Sequence, residues 1–144
     1  MMKYAHLPAI LAALGSERRP LHLLDLGCGA GWLSEQYRLA GHAVTACDQA
    51  EDGLRLARSA YPEVDFRRAD AYDDLTALRH EGFDAIVSSE VIEHLYRPAA
   101  MLSRVFAALK PGGLFVVTTP YHGYAKNLAL SLLDKLDHHF SVSH

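Results

Sequence analysis

Five short apolar stretches, each typical of a buried strand, alternate with helix-patterned stretches along this chain. The predicted strands are Leu21–Leu26, Ala43–Asp48, Val64–Asp70, Phe83–Glu90 and Leu114–Pro120. Strands that alternate with helices form right-handed βαβ units, which build a parallel sheet with helices on both faces. The pattern therefore predicts an α/β fold with a parallel sheet of five strands. Arg67 and Arg68 favour an edge position for the third strand.

Before and between these strands, apolar residues recur at the spacing of a helix. Leu7, Ile10, Leu11 and Leu14 recur at i, i+3, i+4 and i+7 before the first strand. Further helices are predicted at 31–40, 51–61, a short stretch at 72–80, 98–109 and a last segment at 128–140. The sequence KPGG, at 110–113, is expected to end the helix that begins near Pro98.

Length and composition limit the class of protein. The chain of 144 residues is long enough for one domain, which we expect to span residues 1–144. Its net charge of −3 gives no electrostatic footprint for nucleic acid or an anionic membrane. Its apolar runs are far shorter than the roughly 20 residues that span a bilayer. Two cysteines form no disulfide framework, which favours a cytoplasmic setting.

A glycine-rich turn follows the first predicted strand, in the stretch LLDLGCGAGWLS. Gly27, Gly29 and Gly31 have the spacing G-x-G-x-G. The dinucleotide fingerprint G-x-G-x-x-G would require a glycine at the position of Trp32. No lysine or arginine lies in or beside the turn to neutralise phosphates. These features disfavour NAD and ATP as ligands.

Acidic residues end the next two predicted strands. Asp48 lies 21 residues after Gly27, where a carboxylate can accept hydrogen bonds from ribose hydroxyls. Asp70 ends the third strand, where it can accept a hydrogen bond from the exocyclic amine of adenine. Either acid by itself also fits a helix cap or a turn. Together with the glycine turn, the two acids favour a pocket for an adenosine without a pyrophosphate, as in S-adenosylmethionine.

Five consecutive segments resemble the motifs of class I S-adenosylmethionine-dependent methyltransferases, in order and in spacing. They are LLDLGCGAGWLS, VTACDQA, RRADAYDDL, FDAIVSSEVIEHL and LKPGGLFVVTTP, and they cover roughly residues 20–120. The chain is most similar to the small-molecule group that includes the ubiquinone-biosynthesis O-methyltransferases. The resemblance implies a Rossmann-like fold, S-adenosylmethionine as the cofactor and S-adenosylhomocysteine as its product.

The resemblance also assigns residues to parts of the cofactor. It implies Gly27, Cys28, Gly29 and Gly31 along the methionine part, Asp48 at the ribose, Gln49, Asp70 and Ala71 at the adenine, and Ser89 and Glu90 near the sulfonium.

Catalysis by such an enzyme requires the acceptor to be aligned with the reactive methyl group. An oxygen acceptor must also lose a proton, so a general base beside the methyl group helps. Glu93 and His94, after the fourth strand, are the candidate catalytic residues, and Tyr121 and His122 are expected to face the same cleft. A histidine in this position also fits a purely structural role in the loop.

The stretch EVIEH raises the question of a metal ion. Related ubiquinone O-methyltransferases and small-RNA 2′-O-methyltransferases use this pattern for Mg²⁺. Glu90, Glu93 and His94 would leave a divalent ion under-coordinated without substrate and water, and His138 and His139 are further candidates only by position. We expect no metal site, although Mg²⁺ remains an alternative. The negative charge of the chain argues against an RNA substrate.

The full fold of the family has seven strands, and the chain ends at DHHFSVSH, where the last two should begin. We therefore expect those two strands to be missing. Two hypotheses follow: a methyltransferase that acts on an oxygen of a small molecule, or a non-catalytic cofactor-binding fragment or partner-dependent subunit. Without the last strands, the apolar fifth strand becomes an exposed edge, which predicts a homodimer.

Overall fold

A single parallel sheet forms the centre of the molecule, in a computed structural model that describes residues 6–15 and 20–119. The elements are α1 (Leu7–Leu14), β1 (His22–Leu26), α2 (Trp32–Leu39), β2 (Ala43–Asp48), α3 (Glu51–Ala60), β3 (Asp65–Arg68), β4 (Phe83–Ser89), α4 (Pro98–Ala108) and β5 (Leu109–Thr118), with short 3₁₀ turns at Leu75–Leu78 and Ile92–His94. No helix within the described ranges has the length and apolar character needed to cross a bilayer.

The strand order is β3-β2-β1-β4-β5, and every neighbouring pair is parallel. The chain moves outward from β1 through β2 to β3, and then returns to the other side of β1 with β4 and β5. The strand order therefore reverses between β1 and β4. In open α/β sheets a crevice forms at such a reversal, beyond the carboxyl ends of the strands. The predicted five-stranded parallel sheet is confirmed.

Helices cover both faces of this sheet, as the strand–helix alternation predicts. One core cluster joins β1–β4 to the first three helices; its members include Ile10, Leu14, Leu23, Tyr37, Ala46, Leu54 and Val87. The other cluster joins the opposite face to α4 and the first 3₁₀ turn; its members include Leu24, Leu26, Leu75, Ile86, Met101 and Val105. Strand β1 contributes to both clusters because successive side chains of a strand point to opposite faces.

Strand β5 begins earlier than the sequence analysis predicted. The helix ends at Ala108, as expected, but Leu109 already pairs with Phe83. A register shift then accommodates the KPGG residues before Leu114 pairs with Ala85. The strand observed is therefore Leu109–Thr118 and not Leu114–Pro120, because a bulge absorbs the extra residues without ending the pairing.

Two other predicted elements are shorter in the structure. Strand β3 is limited to Asp65–Arg68, and it occupies the sheet edge that its arginines indicated. The stretch predicted as helical at 72–80 forms only the 3₁₀ turn Leu75–Leu78, where Asp74 accepts a hydrogen bond from the Thr76 backbone N–H. The predicted helix at 128–140 lies outside the described residues, as do Tyr121, His122, His138 and His139.

Candidate functional site

A cavity of about 480 Å³ opens at the carboxyl ends of β1–β4, at the crevice that the strand order predicts. It brings together most of the residues that the sequence singled out, from four separate loops. Its lining consists of Leu26, Gly27, Asp48, Gln49, Ala69, Asp70, Ala71, Tyr72, Glu90, Val91, His94, Leu95 and Tyr96.

The glycine turn forms the floor of the cavity at the end of β1. Gly27 has a φ of 84°, and a Cβ atom there would overlap the side chain of Val91. The backbone N–H groups of Gly27 and Cys28 both donate to the Cys47 carbonyl, at 2.8 and 3.0 Å. The turn is thereby tied to β2 and lies close against the loop after β4. Only a glycine at position 27 leaves this backbone open to a ligand.

Asp48 joins the glycine turn to the start of α3. One carboxylate oxygen accepts a hydrogen bond from the Gly29 N–H at 2.9 Å, and the other accepts one from the Ala50 N–H at 2.9 Å. The side chain thus performs the local capping that an aspartate after a strand suggests, and it also lines the cavity. A carboxylate has about four lone-pair positions, so each oxygen can still accept from a ligand hydroxyl.

Asp70 closes the cavity at the end of β3. Its side chain accepts a hydrogen bond from the Tyr72 N–H at 2.9 Å, and its own N–H donates to the Asp73 carboxylate at 2.8 Å. Ala71 follows as a half-buried lining residue, and Gln49 reaches the cavity from the loop after β2. These residues form one end of the cavity, over β2 and β3.

The other end of the cavity lies over β1 and β4. Glu90, immediately after β4, has a φ of 57°, in the left-handed region that side chains other than glycine rarely occupy. Its backbone N–H donates to the Thr118 carbonyl at 3.0 Å. His94, on the second 3₁₀ turn, also lines the cavity. Glu93, one residue before it, is exposed and does not line the cavity.

Four residues predicted to contact the cofactor do not line the cavity: Cys28, Gly29, Gly31 and Ser89. Gly31 is buried at the start of α2, where a Cβ atom would lie 2.5 Å from the Phe66 ring and 2.9 Å from the Ala57 Cβ. The Ser89 hydroxyl lies 2.8 Å from the Thr118 hydroxyl on β5. Gly31 therefore serves close packing, and Ser89 joins the ends of β4 and β5.

Both cysteines are protected thiols. Burial raises the pKa of the Cys28 thiol well above its ordinary value, and nearby Asp25 raises it further. Burial also raises the pKa of Cys47 to about 12. Because the thiolate is the reactive form, neither cysteine is activated as a nucleophile.

Asp25, two residues before the glycine turn, is a buried carboxylate that the sequence analysis did not single out. It is 2% exposed, and it accepts a hydrogen bond from the Ser34 hydroxyl of α2 at 2.5 Å. Burial raises its pKa to about 6, the Ser34 hydrogen bond opposes this shift, and the charge of Asp48 adds to it. A carboxylate inside an otherwise apolar strand was the signal that could have identified it.

Tyr72, which the sequence analysis also did not single out, is another lining residue of the cavity. Its hydroxyl accepts a hydrogen bond from the Arg97 N–H at 3.1 Å, and the Arg97 guanidinium lies 5.3 Å from the centre of its ring. Its carbonyl accepts a hydrogen bond from the Arg104 side chain. Tyr72 therefore fixes the loop after β3 against the start of α4.

Within residues 6–15 and 20–119, no group of three histidine, cysteine or acidic side chains is arranged to hold a metal ion. Glu90, Glu93 and His94 thus do not form a ligand set in this structure. That no metal is used remains a prediction.

The fold and the cavity define a class of protein. A parallel sheet of order β3-β2-β1-β4-β5, with a glycine turn and two acids at its carboxyl edge, is the Rossmann-like architecture of class I methyltransferases. Residues 24–117 match the family model described as a methyltransferase domain. The chain therefore belongs to the methyltransferase domain family.

Curated relatives of the chain include two ubiquinone biosynthesis O-methyltransferases. The protein from Ruegeria pomeroyi is 37% identical over 126 residues, which are 83% of this chain and 50% of that protein. The protein from Xylella fastidiosa is 40% identical over 111 residues, which are 72% of this chain and 45% of that protein. The chain thus spans about half the length of the curated relatives it matches.

Solved structures with the same fold include two methyltransferases. An S-adenosylmethionine-dependent methyltransferase from Mesorhizobium loti is 32% identical with a TM-score of 0.68; the match covers 81% of this chain and 54% of that one. An S-adenosylmethionine-bound amino pentose methyltransferase from Micromonospora echinaspora is 25% identical with a TM-score of 0.70, over 82% and 51% of the two chains.

Proposed function

We propose that this chain binds S-adenosylmethionine and takes part in the transfer of its methyl group to an oxygen of a small molecule. The observation that carries the proposal is the convergence of Asp48, Asp70 and the open backbone of Gly27 on one cavity of about 480 Å³. A cavity of this size suits a nucleoside-sized ligand. No lysine or arginine is among its described lining residues, which suits a cofactor without phosphates. The O-methyltransferase relatives support oxygen as the acceptor atom.

The two ends of the cavity suggest how the cofactor lies in it. Asp48 would hold the ribose hydroxyls, and Gln49, Asp70 and Ala71 would surround the adenine. The methionine part would run along Gly27 and the rest of the glycine turn. Cys28 and Gly31 would act indirectly, by maintaining the conformation of the turn. The sulfonium would then lie over β1 and β4, near Glu90, with Ser89 behind it.

Bound S-adenosylmethionine supplies an activated methyl group and leaves as S-adenosylhomocysteine. The protein then has to align the acceptor, exclude water and receive the acceptor proton. His94 lines the cavity and remains a candidate base. Glu93, the other candidate, would need a different arrangement of the second 3₁₀ turn to reach the cavity, since it does not line the cavity in this structure.

A second candidate function is cofactor binding without turnover by this chain alone, either as a fragment or as a subunit that depends on a partner. Because the chain matches only about half the length of its relatives, cofactor binding without turnover stays as the second candidate. Methyl transfer and cofactor binding should therefore be measured separately.

We also propose a cellular location and a class of partner. We place the protein in the cytoplasm, which the two free cysteines support. Its partner would be a small-molecule acceptor and neither nucleic acid nor a membrane, consistent with the net charge of −3.

Replacing Asp48 by alanine should weaken the binding of S-adenosylhomocysteine by about 5- to 150-fold, because the ribose hydroxyls lose a charged acceptor worth about 1–3 kcal/mol. Calorimetric titration measures the affinity, and thermal melting followed by circular dichroism checks the fold. Asp52→Ala is the matched control, since Asp52 is exposed on α3, where it pairs with Arg55. Equal affinities of wild type and Asp48→Ala, or no binding by wild type, would contradict the proposal.

EDTA should leave the affinity for S-adenosylhomocysteine unchanged, because the described residues provide no grouped metal ligands. The same titration with EDTA, and then with added Mg²⁺, checks this. A loss of affinity in EDTA that Mg²⁺ restores would instead assign Glu90, Glu93 and His94 as metal ligands.

We also propose that the chain forms a homodimer through β5. This strand pairs with β4 on one side, and no described strand pairs with its other side. Leu114 and Val117 on β5 are 40% and 43% exposed. Exposed apolar edges recruit further strands, so light scattering after gel filtration should report a dimer at micromolar concentration. A stable monomer would show that another part of the molecule covers this edge.

A further inference from the structure

His6, directly before α1, contacts the far end of the cavity. Its Nε2 atom lies 3.0 Å from the Oε1 atom of Glu90, although the two residues are 84 positions apart in the sequence. Glu90 lines the cavity, whereas His6 reaches the carboxylate from outside it. The contact therefore joins the first helix to the site that the proposed function assigns to methyl transfer.

Both partners of this contact are held by the fold. The His6 carbonyl accepts a hydrogen bond from the Ile10 N–H at 2.9 Å, which continues α1 to His6. Ile10 and Leu14 anchor that helix in the core, with exposures of 1% and 0%. Glu90 is fixed from the other side by its backbone bond to Thr118. The pair is thus built from two anchored elements.

The backbone conformation of Glu90 indicates a functional role for this residue. A φ of 57° is unfavourable for glutamate, and glycine or asparagine would fit the same turn more easily. The contact with His6 does not offset this cost, because side chains that are 35% and 38% exposed add little to stability when they pair. Strained conformations of this kind cluster at functional sites. Glu90 combines such a conformation with a place in the cavity lining.

The strand order indicates what Glu90 faces. The nucleoside would occupy the end of the cavity over β2 and β3, between Asp48 and Asp70. Strand β4 lies two strand spacings from β2, or about 10 Å away. A ligand that extends from the ribose along the glycine turn therefore brings its reactive sulfur towards Glu90.

We propose that His6 is a positioning residue that holds the Glu90 carboxylate beside the sulfonium, where Glu90 receives the proton of the acceptor hydroxyl. The acceptor oxygen gains the methyl carbon, the carbon–sulfur bonding pair stays on sulfur, and the hydroxyl proton passes to Glu90. This inference rests on the proposed function. It assigns the proton transfer to Glu90, held by the residue directly before α1, in place of His94 and Glu93.

The test compares the affinities of S-adenosylmethionine and S-adenosylhomocysteine, which differ by one methyl group and one positive charge. A carboxylate beside the sulfonium favours the charged ligand. Glu90→Gln should therefore reduce the preference for S-adenosylmethionine by about fivefold, and His6→Ala should reduce it in part. His6→Gln should restore it, because an amide can still donate to Glu90. Glu81→Gln, the matched control at an exposed position before β4, should leave the preference unchanged.

A second measurement locates the methyl group directly. With S-adenosylmethionine that carries a ¹³C-labelled methyl, nuclear Overhauser effects should connect the methyl protons to the Glu90 γ protons. The ring of His42 should show none, since it accepts a hydrogen bond from the Leu21 N–H at the opposite edge of the sheet. An unchanged ligand preference in Glu90→Gln, or methyl contacts that exclude Glu90, would overturn the inference. Failure of the wild-type chain to bind either ligand would instead overturn the proposed function.

Discussion

Replacing Gly31 by alanine is expected to lower the free energy of unfolding by about 2–5 kcal/mol. Gly31 has a φ of 80°, and in this left-handed conformation a Cβ atom costs about 1–2 kcal/mol. The same Cβ atom would lie 2.5 Å from the Phe66 ring and 2.9 Å from the Ala57 Cβ. Overpacking of this kind adds about 1–3 kcal/mol, because α3 and β3 must move away from the glycine turn.

The matched control for this variant is Gly29→Ala, two residues earlier in the same turn. Gly29 also has a positive φ, 53°, but a Cβ atom there would meet no other atom within 4 Å. Gly29→Ala should therefore cost only the backbone term, about 1 kcal/mol. Urea unfolding followed by circular dichroism measures both variants. If Gly31→Ala were no less stable than Gly29→Ala, the contact with Phe66 and Ala57 would not constrain the turn.

Replacing Asp25 by asparagine is expected to remove a pH dependence of stability that reaches about 3 kcal/mol. Burial raises the pKa of Asp25 from 3.8 to about 6 in the folded protein. The folded state therefore binds this proton more tightly than the unfolded state does. The resulting stability is fully present below about pH 4 and is lost as the pH rises towards 6 and above. At about 1.4 kcal/mol per pKa unit, this shift of roughly two units gives the stated magnitude.

Other carboxylates change stability in the opposite direction, so wild type and variant must be compared at each pH. Hydrogen bonds and nearby cations lower the pKa values of Glu35, Asp74 and Glu81, and the stability they provide is lost as the pH falls. Wild type and Asp25→Asn share these groups. The difference between their unfolding free energies should favour the variant progressively from pH 4 to pH 7. Parallel profiles for wild type and Asp25→Asn would contradict the account of Asp25.

The sheet and its functional edge were predictable because they depend on local patterns. Alternating apolar strands and helices specify a parallel sheet, and parallel strands bring their carboxyl ends to one edge. Asp48 ends β2 and Asp70 follows β3 by two residues, so the sequence alone placed them in one cavity. Gly27 followed from the same reasoning, since its turn comes directly after β1.

Contacts between distant segments could not be predicted from the sequence. The packing role of Gly31 depends on Phe66, which is 35 residues away and reaches the turn only once β3 has paired with β2. That His94 lines the cavity and its neighbour Glu93 does not depends on the 3₁₀ turn that carries both residues. The contact between His6 and Glu90 requires α1 to pack against the sheet, and no sequence motif predicts where α1 packs.

The structure of this chain with S-adenosylhomocysteine bound tests the central claim most directly. We predict that the ribose hydroxyls lie within hydrogen-bonding distance of the Asp48 carboxylate, with the adenine between Gln49 and Ala71. The thioether sulfur should lie above the glycine turn, on the side of Glu90. A ligand bound outside this cavity, or bound within it without contact between Asp48 and the ribose, would contradict the assignment of the site.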